Sequence, residues 1–434
     1  MGVPGGRAYA GGMATRAATT ARRVAELCRR GGDSRVLRAA VLAEMRPAIA
    51  FDAYAFLMTD PETRVGTAPL AEVPELAKLP ELIRLRYTSA INRWTALDPG
   101  RCATLADATG GDLSRSSLWR ELLSGYGVTD LATLPLADQF GCWGFLDLWR
   151  CGGQEPRFTP AEQALLTSLA PDLTAGLRAA QAATFAEPPA PVSALDAAVV
   201  LLLSGRLALL DQTPRTDAHL RLLLPTSPGA PPVPAAAFNV AAQLLAVEAG
   251  VDDGPPTARA QLAGPEWISL RAARLSGQPG STGEPGSTGR PGGTDGPGGT
   301  DGPGGTDGPG GTGGPGNTGE PGGTGDPDGG RIAVTVEPVA PAGRIELYGR
   351  ACGLTGRERE LLHRLARGAD TRQLAREMRL SPHTVQDHLK SVFAKTGSGT
   401  RGILLARALG TLHTPAGPGP RPVPGPGSQP VPGG

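Results

Sequence analysis

Residues 381 to 395 carry polar side chains whose types and spacing suit hydrogen bonding to the edges of nucleic-acid bases. Ser381 followed by Pro382 predicts the start of a helix, since serine is a common N-cap and proline suits the first helical position. One face of this helix is apolar and consists of Val385, Leu389, Val392 and Phe393. The opposite face presents His383, Thr384, Gln386, Asp387 and Lys390. A capped helix with such groups near its N-terminus is an element that the major groove of duplex DNA admits.

Two shorter helices are predicted upstream of this helix and one downstream, so that together they form a compact helical unit. Thr355 and Glu358 form a predicted capping box at the start of the first, and Gly368 ends it. Asp370 caps the second, which is followed by a tight turn. The inward residues of these two helices are Leu361, Leu362, Leu365, Leu374, Ala375 and Met378. The downstream helix is predicted over residues 400 to 409.

These residues resemble the LuxR-type helix-turn-helix almost throughout. The matching positions are Leu354-Thr355, Arg357-Glu358, Glu360-Leu361-Leu362, Gly368, Leu374-Ala375, Leu380 to Lys390, and Lys395-Thr396-Gly397. The resemblance implies a DNA-binding domain over residues 350–412 whose fourth helix mediates dimerisation. It also implies base-edge contacts from Gln386, Asp387 and Lys390, and contacts to the DNA backbone from Thr384 and Lys395.

The chemistry of these side chains fits such contacts. Gln386 can pair with adenine through two hydrogen bonds, Asp387 can accept from cytosine, and Lys390 can donate to guanine or to phosphate. The candidate DNA-binding set is completed by Arg372, Ser381 and His383. Many members of the family carry a cation where Gln386 stands, and their basic, valine-containing turn is replaced here by Ser398-Gly399-Thr400. The operator sequence is therefore left open.

Charge is distributed unevenly along the chain, although its 434 residues carry a formal net charge of only +1. From Arg350 to Leu409 there are 12 Arg or Lys against 5 Asp or Glu, a net charge of +7. From Gly277 to Gly330 there is one Arg against 7 acidic residues, a net charge of −6. Because cationic surface is the first requirement for holding phosphates, the C-terminal region is the candidate for nucleic-acid binding.

The region from residue 21 to 186 contains alternating strand-like and helical patterns. Apolar runs typical of strands occur at Ala53 to Met58 and at Cys142 to Trp149, and a capping box of Thr159 and Glu162 predicts a closing helix. Four tryptophans either line a pocket or fill the core: Trp94, Trp119, Trp143 and Trp149. The region resembles a GAF-like sensor domain in Phe51 to Tyr54, Thr59 to Thr63, Asn92 to Trp94, Gly141 to Trp149 and the closing helix.

Residues 192 to 340 form a second region, with a predicted opening hairpin and a predicted helix. The hairpin consists of Ala198 to Leu203 and Arg206 to Leu210, and the helix spans Val240 to Ala249. With these elements the region resembles a PAS-like domain.

A second hairpin in this region is interrupted by a long insert. Trp267 to Leu275 and Arg331 to Glu337 alternate apolar and polar residues at strand period, which predicts antiparallel partners. The insert 276–330 is rich in Gly, Pro and Thr, and its glycine repeat breaks at Asp295 and Asn317, so a collagen triple helix is disfavoured. It is predicted to be a disordered loop.

Several other classes of protein are disfavoured by the sequence. There is no Gly-x-x-x-x-Gly-Lys-Ser/Thr loop, which excludes the ATPase architecture of the large LuxR-type regulators. Paired carboxylates, a nucleophile constellation and a metal-ligand cluster are all missing, so no enzyme activity, cofactor or metal is predicted. The five cysteines form no Cys-x-x-Cys pair, and the apolar run Ala197 to Leu203 is too short to span a membrane. A cytoplasmic protein that does not contact membranes is expected.

The sequence predicts a multidomain chain in which α+β GAF-like and PAS-like sensor domains precede an all-α four-helix domain, with disordered tails at 1–20 and 413–434. The favoured hypothesis is a dimeric, sequence-specific transcription regulator that binds double-stranded DNA, with RNA polymerase as a further candidate partner. An unidentified small molecule or protein is the expected effector. The alternative is an interaction or small-molecule sensor protein whose DNA-binding module is weak or degenerate.

Overall fold

The computed structural model describes residues 5–153, 156–187, 198–223, 232–262, 266–275 and 330–412, with side chains described from residue 15 onward. The predicted insert 276–330, except Gly330, and the predicted tail 413–434 therefore lie outside the described residues.

The first domain is built around a five-stranded antiparallel sheet. Its helices and strands are α1 (Gly5–Arg30), α2 (Ser34–Met45), β1 (Ala53–Thr59), β2 (Gly66–Glu72), α3 (Leu79–Thr88), β3 (Ala103–Thr104), α4 (Leu105–Ala108), α5 (Ser117–Glu121), β4 (Val128–Asp138), β5 (Gly141–Cys151) and α6 (Pro160–Ala183). The strand order is β2-β1-β5-β4-β3, so the two predicted strands lie side by side as β1 and β5. The predicted capping box of Thr159 and Glu162 is present at the start of α6.

The predicted disordered tail over residues 1–20 is wrong from residue 5 onward, because α1 occupies this segment. Alanine and arginine, which are frequent here, are strong helix formers, and α1 also packs against α2 and α6. Thr20 is buried, and its hydroxyl donates to the Glu44 carbonyl oxygen. At Gly176 of α6 an added Cβ would lie 2.8 Å from the Cβ of Cys28, so only glycine allows the two helices to approach this closely.

Tryptophans fill the core of the first domain. Trp94, Trp143 and Trp149 are all at most 2% exposed, which confirms their interpretation as core residues. The fourth predicted tryptophan, Trp119, is only half-buried. The Arg86 guanidinium lies over the Trp94 ring, 4.7 Å from its centroid, and pairs with the Asp147 carboxylate at 3.3 Å. A buried ion pair therefore occupies the centre of this domain, together with aromatic rings.

The second domain repeats the strand order of the first. Its helices and strands are β6 (Val199–Leu203), β7 (Leu209–Gln212), α7 (Thr216–Leu223), α8 (Ala235–Glu248), β8 (Thr257–Gln261), β9 (Trp267–Leu275) and β10 (Arg331–Pro338). Its antiparallel order, β7-β6-β10-β9-β8, corresponds strand for strand to the first sheet. β9 pairs with β10, with Leu275 opposite Arg331, which confirms the predicted interrupted hairpin. In the opening hairpin, β7 begins at Leu209 and not at Arg206, because Leu207 turns the chain with a φ of +65°.

The described part of the C-terminal domain contains five helices. They are α9 (Pro341–Ala351), α10 (Gly356–Ala366), α11 (Thr371–Met378), α12 (Pro382–Thr396) and α13 (Arg401–Leu409). The last four are those predicted, whereas α9 is an additional helix that precedes the predicted boundary at residue 350. Glu346 of α9 binds Arg359 and His363 of α10 at 3.1 and 3.3 Å, so α9 belongs to the same packed unit. Its start, Pro-Ala-Gly, gives a weak helical signal, and long-range packing decides its conformation.

Candidate nucleic-acid interface

α12 begins and ends at the residues from which it is predicted in the sequence. The Ser381 hydroxyl accepts a hydrogen bond from the Thr384 amide at 3.1 Å, and Pro382 occupies the first helical position. The Ser381 and Thr384 hydroxyl oxygens are also 2.9 Å apart. Gly397 ends the helix with a φ of +59°, a conformation that favours glycine. Of the predicted inward residues, Val385, Leu389 and Val392 are buried and Phe393 is half-buried.

The opposite side of α12 is exposed at His383 and at the three residues predicted to contact bases. We call the surface formed by His383, Gln386, Asp387 and Lys390 the recognition face. The side chains of His383, Asp387 and Lys390 are 86%, 55% and 76% exposed, and Gln386 is exposed as well. The Asp387 carboxylate lies 3.6 Å from both His383 Nε2 and Lys390 Nζ. Exposed pairs of this kind contribute little to stability, so these side chains are free to exchange partners when a duplex approaches.

Three arginines lie on α11 and at its end, where the turn to α12 begins. Arg372, Arg376 and Arg379 are all exposed. Arg379 ends α11 in a left-handed conformation, with a φ of +54°, and so forms the turn between the two helices. Arg372 belongs to the DNA-binding set predicted from the sequence, which does not include Arg376 and Arg379. Arg372 and Arg376 are four residues apart and so lie on one helical face, a spacing that marks Arg376 as a further candidate.

One predicted DNA contact, Lys395, is engaged in holding α12 against α10. Its Nζ donates to Glu358 Oε2 at 2.6 Å, and the Ser391 hydroxyl donates to Oε1 of the same carboxylate, also at 2.6 Å. Glu358 further accepts the Thr355 amide at 2.7 Å, as the predicted capping box requires. Burial alone would raise the pKa of Glu358, but these hydrogen bonds outweigh it and lower the pKa to about 2. In the structure Lys395 therefore ties α12 to α10.

The C-terminal domain is docked on the first domain through α9. Phe185, which follows α6, meets the Tyr348 ring edge-on with centroids 5.3 Å apart, and the Arg344 guanidinium lies 4.9 Å from the Phe185 centroid. Arg350 Nη1 donates to the Phe140 carbonyl oxygen at 3.0 Å. Since the recognition face is exposed in this same arrangement, the docking leaves it uncovered by the described residues of the first two domains.

Both ends of the chain match known domain families. Residues 353–401 match the family described as bacterial regulatory proteins, luxR family, a range that includes α10, α11 and α12. Residues 35–177 match the GAF domain. The chain therefore carries a LuxR-type helix-turn-helix domain at its C-terminus and a GAF domain at its N-terminus. Of the three resemblances seen in the sequence, these two are confirmed, and the PAS-like one stays a prediction.

A named relative shares part of this sequence. A probable HTH-type transcriptional regulator, GfsR, of Streptomyces halstedii is 37% identical to this chain over 81 residues. The similarity covers 16% of this chain and 33% of that protein, so the chain spans about a third of the relative's length.

Within the described ranges, none of the helices is sufficiently long and apolar to cross a membrane. In the same part of the chain, no three or more His, Cys, Asp or Glu residues are grouped so as to hold a metal ion.

Proposed function

We propose that this chain is a dimeric, sequence-specific DNA-binding transcription regulator whose sensor domains modulate its binding. The observation that carries the proposal is the recognition face, a set of polar side chains left uncovered on a capped helix of a LuxR-type domain. A helix of this kind enters the major groove with its N-terminal residues at the base edges. The net charge of +7 over residues 350–409 supplies the attraction to phosphates.

Each exposed group has a role in this proposal. Gln386 pairs with adenine, Asp387 accepts from cytosine, and Lys390 donates to guanine or to phosphate. The candidates for contact with the DNA backbone are Arg372, Ser381, His383 and Thr384, and we add the exposed Arg376 and Arg379. Lys395 can join them only if it leaves the Glu358 carboxylate. These backbone contacts supply affinity, whereas the base contacts supply specificity.

The second domain and α13 are proposed to take part in controlling DNA binding. The second domain is proposed to be a PAS-like sensor, since it repeats the strand order of the GAF domain. The proposed dimerisation helix is α13, whose Ile403 is an apolar residue left 39% exposed. An unidentified effector is proposed to act on the sensor domains, with RNA polymerase as a further partner and the cytoplasm as the compartment.

Substitution of Lys390 by alanine tests the proposed DNA binding. A duplex that binds the full chain is first selected from a random pool of double-stranded oligonucleotides. We expect Lys390→Ala to weaken binding to this duplex by about 10- to 100-fold, because one base or phosphate contact contributes about 1–3 kcal/mol. Fluorescence anisotropy with the labelled duplex measures the change.

The matched control is Lys78→Ala in the first domain. The Lys78 side chain is 51% exposed and forms a surface pair with Glu81 at 3.3 Å, so its removal should leave DNA affinity unchanged. Binding by the unmodified chain should also fall steeply with added salt, because counterions are released from the phosphates. If the unmodified chain binds no duplex at low salt, the alternative of a sensor or interaction protein with a degenerate helix-turn-helix is the better account.

A further inference from the structure

A cavity of about 180 Å³ lies between the first and second domains, away from the recognition face. The first domain contributes Arg38 and Gln181 to its wall. The second domain contributes Leu222, Leu223, Leu262 and Trp267. Its volume is close to that of apolar protein cavities of roughly 150 Å³ that hold benzene. The cavity therefore has room for one small organic molecule.

The first unusual feature of this cavity is a buried cation without a carboxylate partner. Arg38 is 2% exposed, and its Nε and Nη1 donate to the carbonyl oxygens of Ser34, Phe56 and Ala68. No ion pair of Arg38 is formed within the part of the chain that the structure describes. Burial lowers the pKa of this guanidinium to about 10. Buried charges are normally paired, because removing a charge from water is costly.

A carboxylate does lie at the same cavity, but it is already engaged. Asp33 Oδ1 accepts the amides of Arg35 and Val36 at 2.8 and 3.0 Å, and so caps the start of α2. With Arg35 and Arg38 against Asp33, the charged groups that line the cavity have a net positive charge. An anion that enters is therefore attracted. Among the described residues Arg38 Nη2 makes no hydrogen bond, so it is the nitrogen left to donate to a carboxylate.

The second unusual feature is a pair of buried polar atoms without partners. Gln181 and Trp267 are 6% and 4% exposed. Among the described residues, neither Gln181 Oε1 nor Trp267 Nε1 has a hydrogen-bond partner. Such groups normally find partners when they are buried, and each one left unsatisfied costs free energy. Leu222, Leu223 and Leu262 supply an apolar wall beside them.

We propose that this cavity is the effector site and that its ligand is a small organic carboxylate with an apolar body. Arg38 is the counter-ion of the carboxylate, and the leucine wall contacts the apolar body. Only the expected effect of this ligand on DNA binding rests on the proposed function. The site itself is defined by the cavity and its residues.

Trp267 connects this site to the DNA-binding domain. Its ring lines the cavity and stacks on Phe185 with centroids 5.4 Å apart and planes 13° apart. Phe185 in turn packs edge-on against Tyr348 of α9. A ligand that displaces Trp267 would change the surface on which the DNA-binding domain is docked, and would thereby couple the two sites.

Calorimetric titration of the full chain tests the site, with benzoate and hexanoate as an aromatic and an aliphatic probe, each up to about 10 mM. Benzamide is the neutral control of nearly the same shape. We expect saturable binding of benzoate at one site per chain, with benzamide about 10- to 100-fold weaker because it lacks the charge that pairs with Arg38. Arg38→Met should weaken benzoate binding by a similar factor.

A second variant covers the case in which Arg38→Met fails to fold. Leu222→Trp fills the cavity from α7 while Arg38 itself is left unsubstituted, and should abolish benzoate binding. Leu76→Trp adds the same side chain at a position that is 60% exposed and outside the cavity, and should bind benzoate normally. The site is wrong if neither carboxylate binds saturably, if benzamide binds as well as benzoate, or if Leu222→Trp binds benzoate like the unmodified chain.

The link to DNA binding is measured separately, by anisotropy with and without saturating benzoate. We expect the affinity for the selected duplex to change by at least about 5-fold, the lower end of common allosteric couplings. If benzoate binds and the affinity for the duplex is unchanged, the link through Trp267 is wrong, whereas the proposed carboxylate site is still supported. If the chain binds no duplex at all, the proposed function fails, and the calorimetry still decides the site.

Discussion

Removal of the Asp147 carboxylate is expected to destabilise the first domain by about 3–5 kcal/mol. Asp147 and Arg86 are each 1% exposed, and Asp147 accepts from Arg86 at 3.3 Å, from the Thr133 hydroxyl at 2.7 Å and from the Trp94 indole at 3.1 Å. Asp147→Ala leaves the guanidinium buried without its counter-charge and leaves two further donors unsatisfied. The free energy of unfolding, measured in guanidinium chloride by tryptophan fluorescence, gives the size of the loss.

Two variants separate the buried charge from ordinary loss of contacts. Replacing both partners, as in Arg86→Met with Asp147→Leu, should cost much less than Asp147→Ala, because no unpaired charge remains. Glu121→Ala removes the exposed pair with Arg84 and should cost less than about 1 kcal/mol. If Asp147→Ala were as stable as Glu121→Ala, the central ion pair would not have the structural role described for it.

Glu358→Ala is expected to destabilise the DNA-binding domain by about 3 kcal/mol at pH 7, and by less as the pH falls. The pKa of Glu358 is about 2 in the folded chain against an ordinary 4.5, and one pKa unit corresponds to about 1.4 kcal/mol. Because the folded pKa is the lower one, the stabilisation is complete above pH 4.5 and is lost as the pH falls toward 2. The difference in unfolding free energy between the two proteins should therefore shrink by about 1.4 kcal/mol per pH unit below 4.5.

Urea denaturation over a pH series measures this difference directly. Glu360→Ala is the matched control on the same helix, since Glu360 pairs with Arg364 at 2.8 Å but is 36% exposed and should contribute little. Glu358→Ala should also weaken DNA binding, because Lys395 and Ser391 lose the acceptor that ties α12 to α10. A pH-independent difference between the unmodified chain and Glu358→Ala would show that the carboxylate is not held in its charged form.

The parts of the fold that follow from the sequence are those fixed by local hydrogen bonds. The capping boxes at Thr159 and Thr355 and the N-cap at Ser381 each place a helix start within a few residues, because both partners of each bond lie within one turn. The period of apolar residues then fixes which face is buried. For the same reason the recognition face is predictable residue by residue.

The parts that sequence patterns miss depend on contacts between distant segments. α1 is helical although its first residues resemble a flexible tail, and α9 is helical although it starts with Pro-Ala-Gly, because each packs against other helices. The partner of Lys395 lies 37 residues away at Glu358, so no local pattern indicates that this lysine ties α12 to α10. The cavity beside Arg38 requires residues from both the first and the second domain and has no local signature.

The base preference of a Gln386→Arg variant tests most directly whether the recognition face reads DNA. Duplexes are selected from the same random pool by the unmodified chain and by the variant, and the two sets are sequenced. Arginine pairs with guanine where glutamine pairs with adenine, so the preference should move from adenine to guanine at one position and stay the same elsewhere. Recovery of identical sequences by both proteins would contradict base readout by this face of α12.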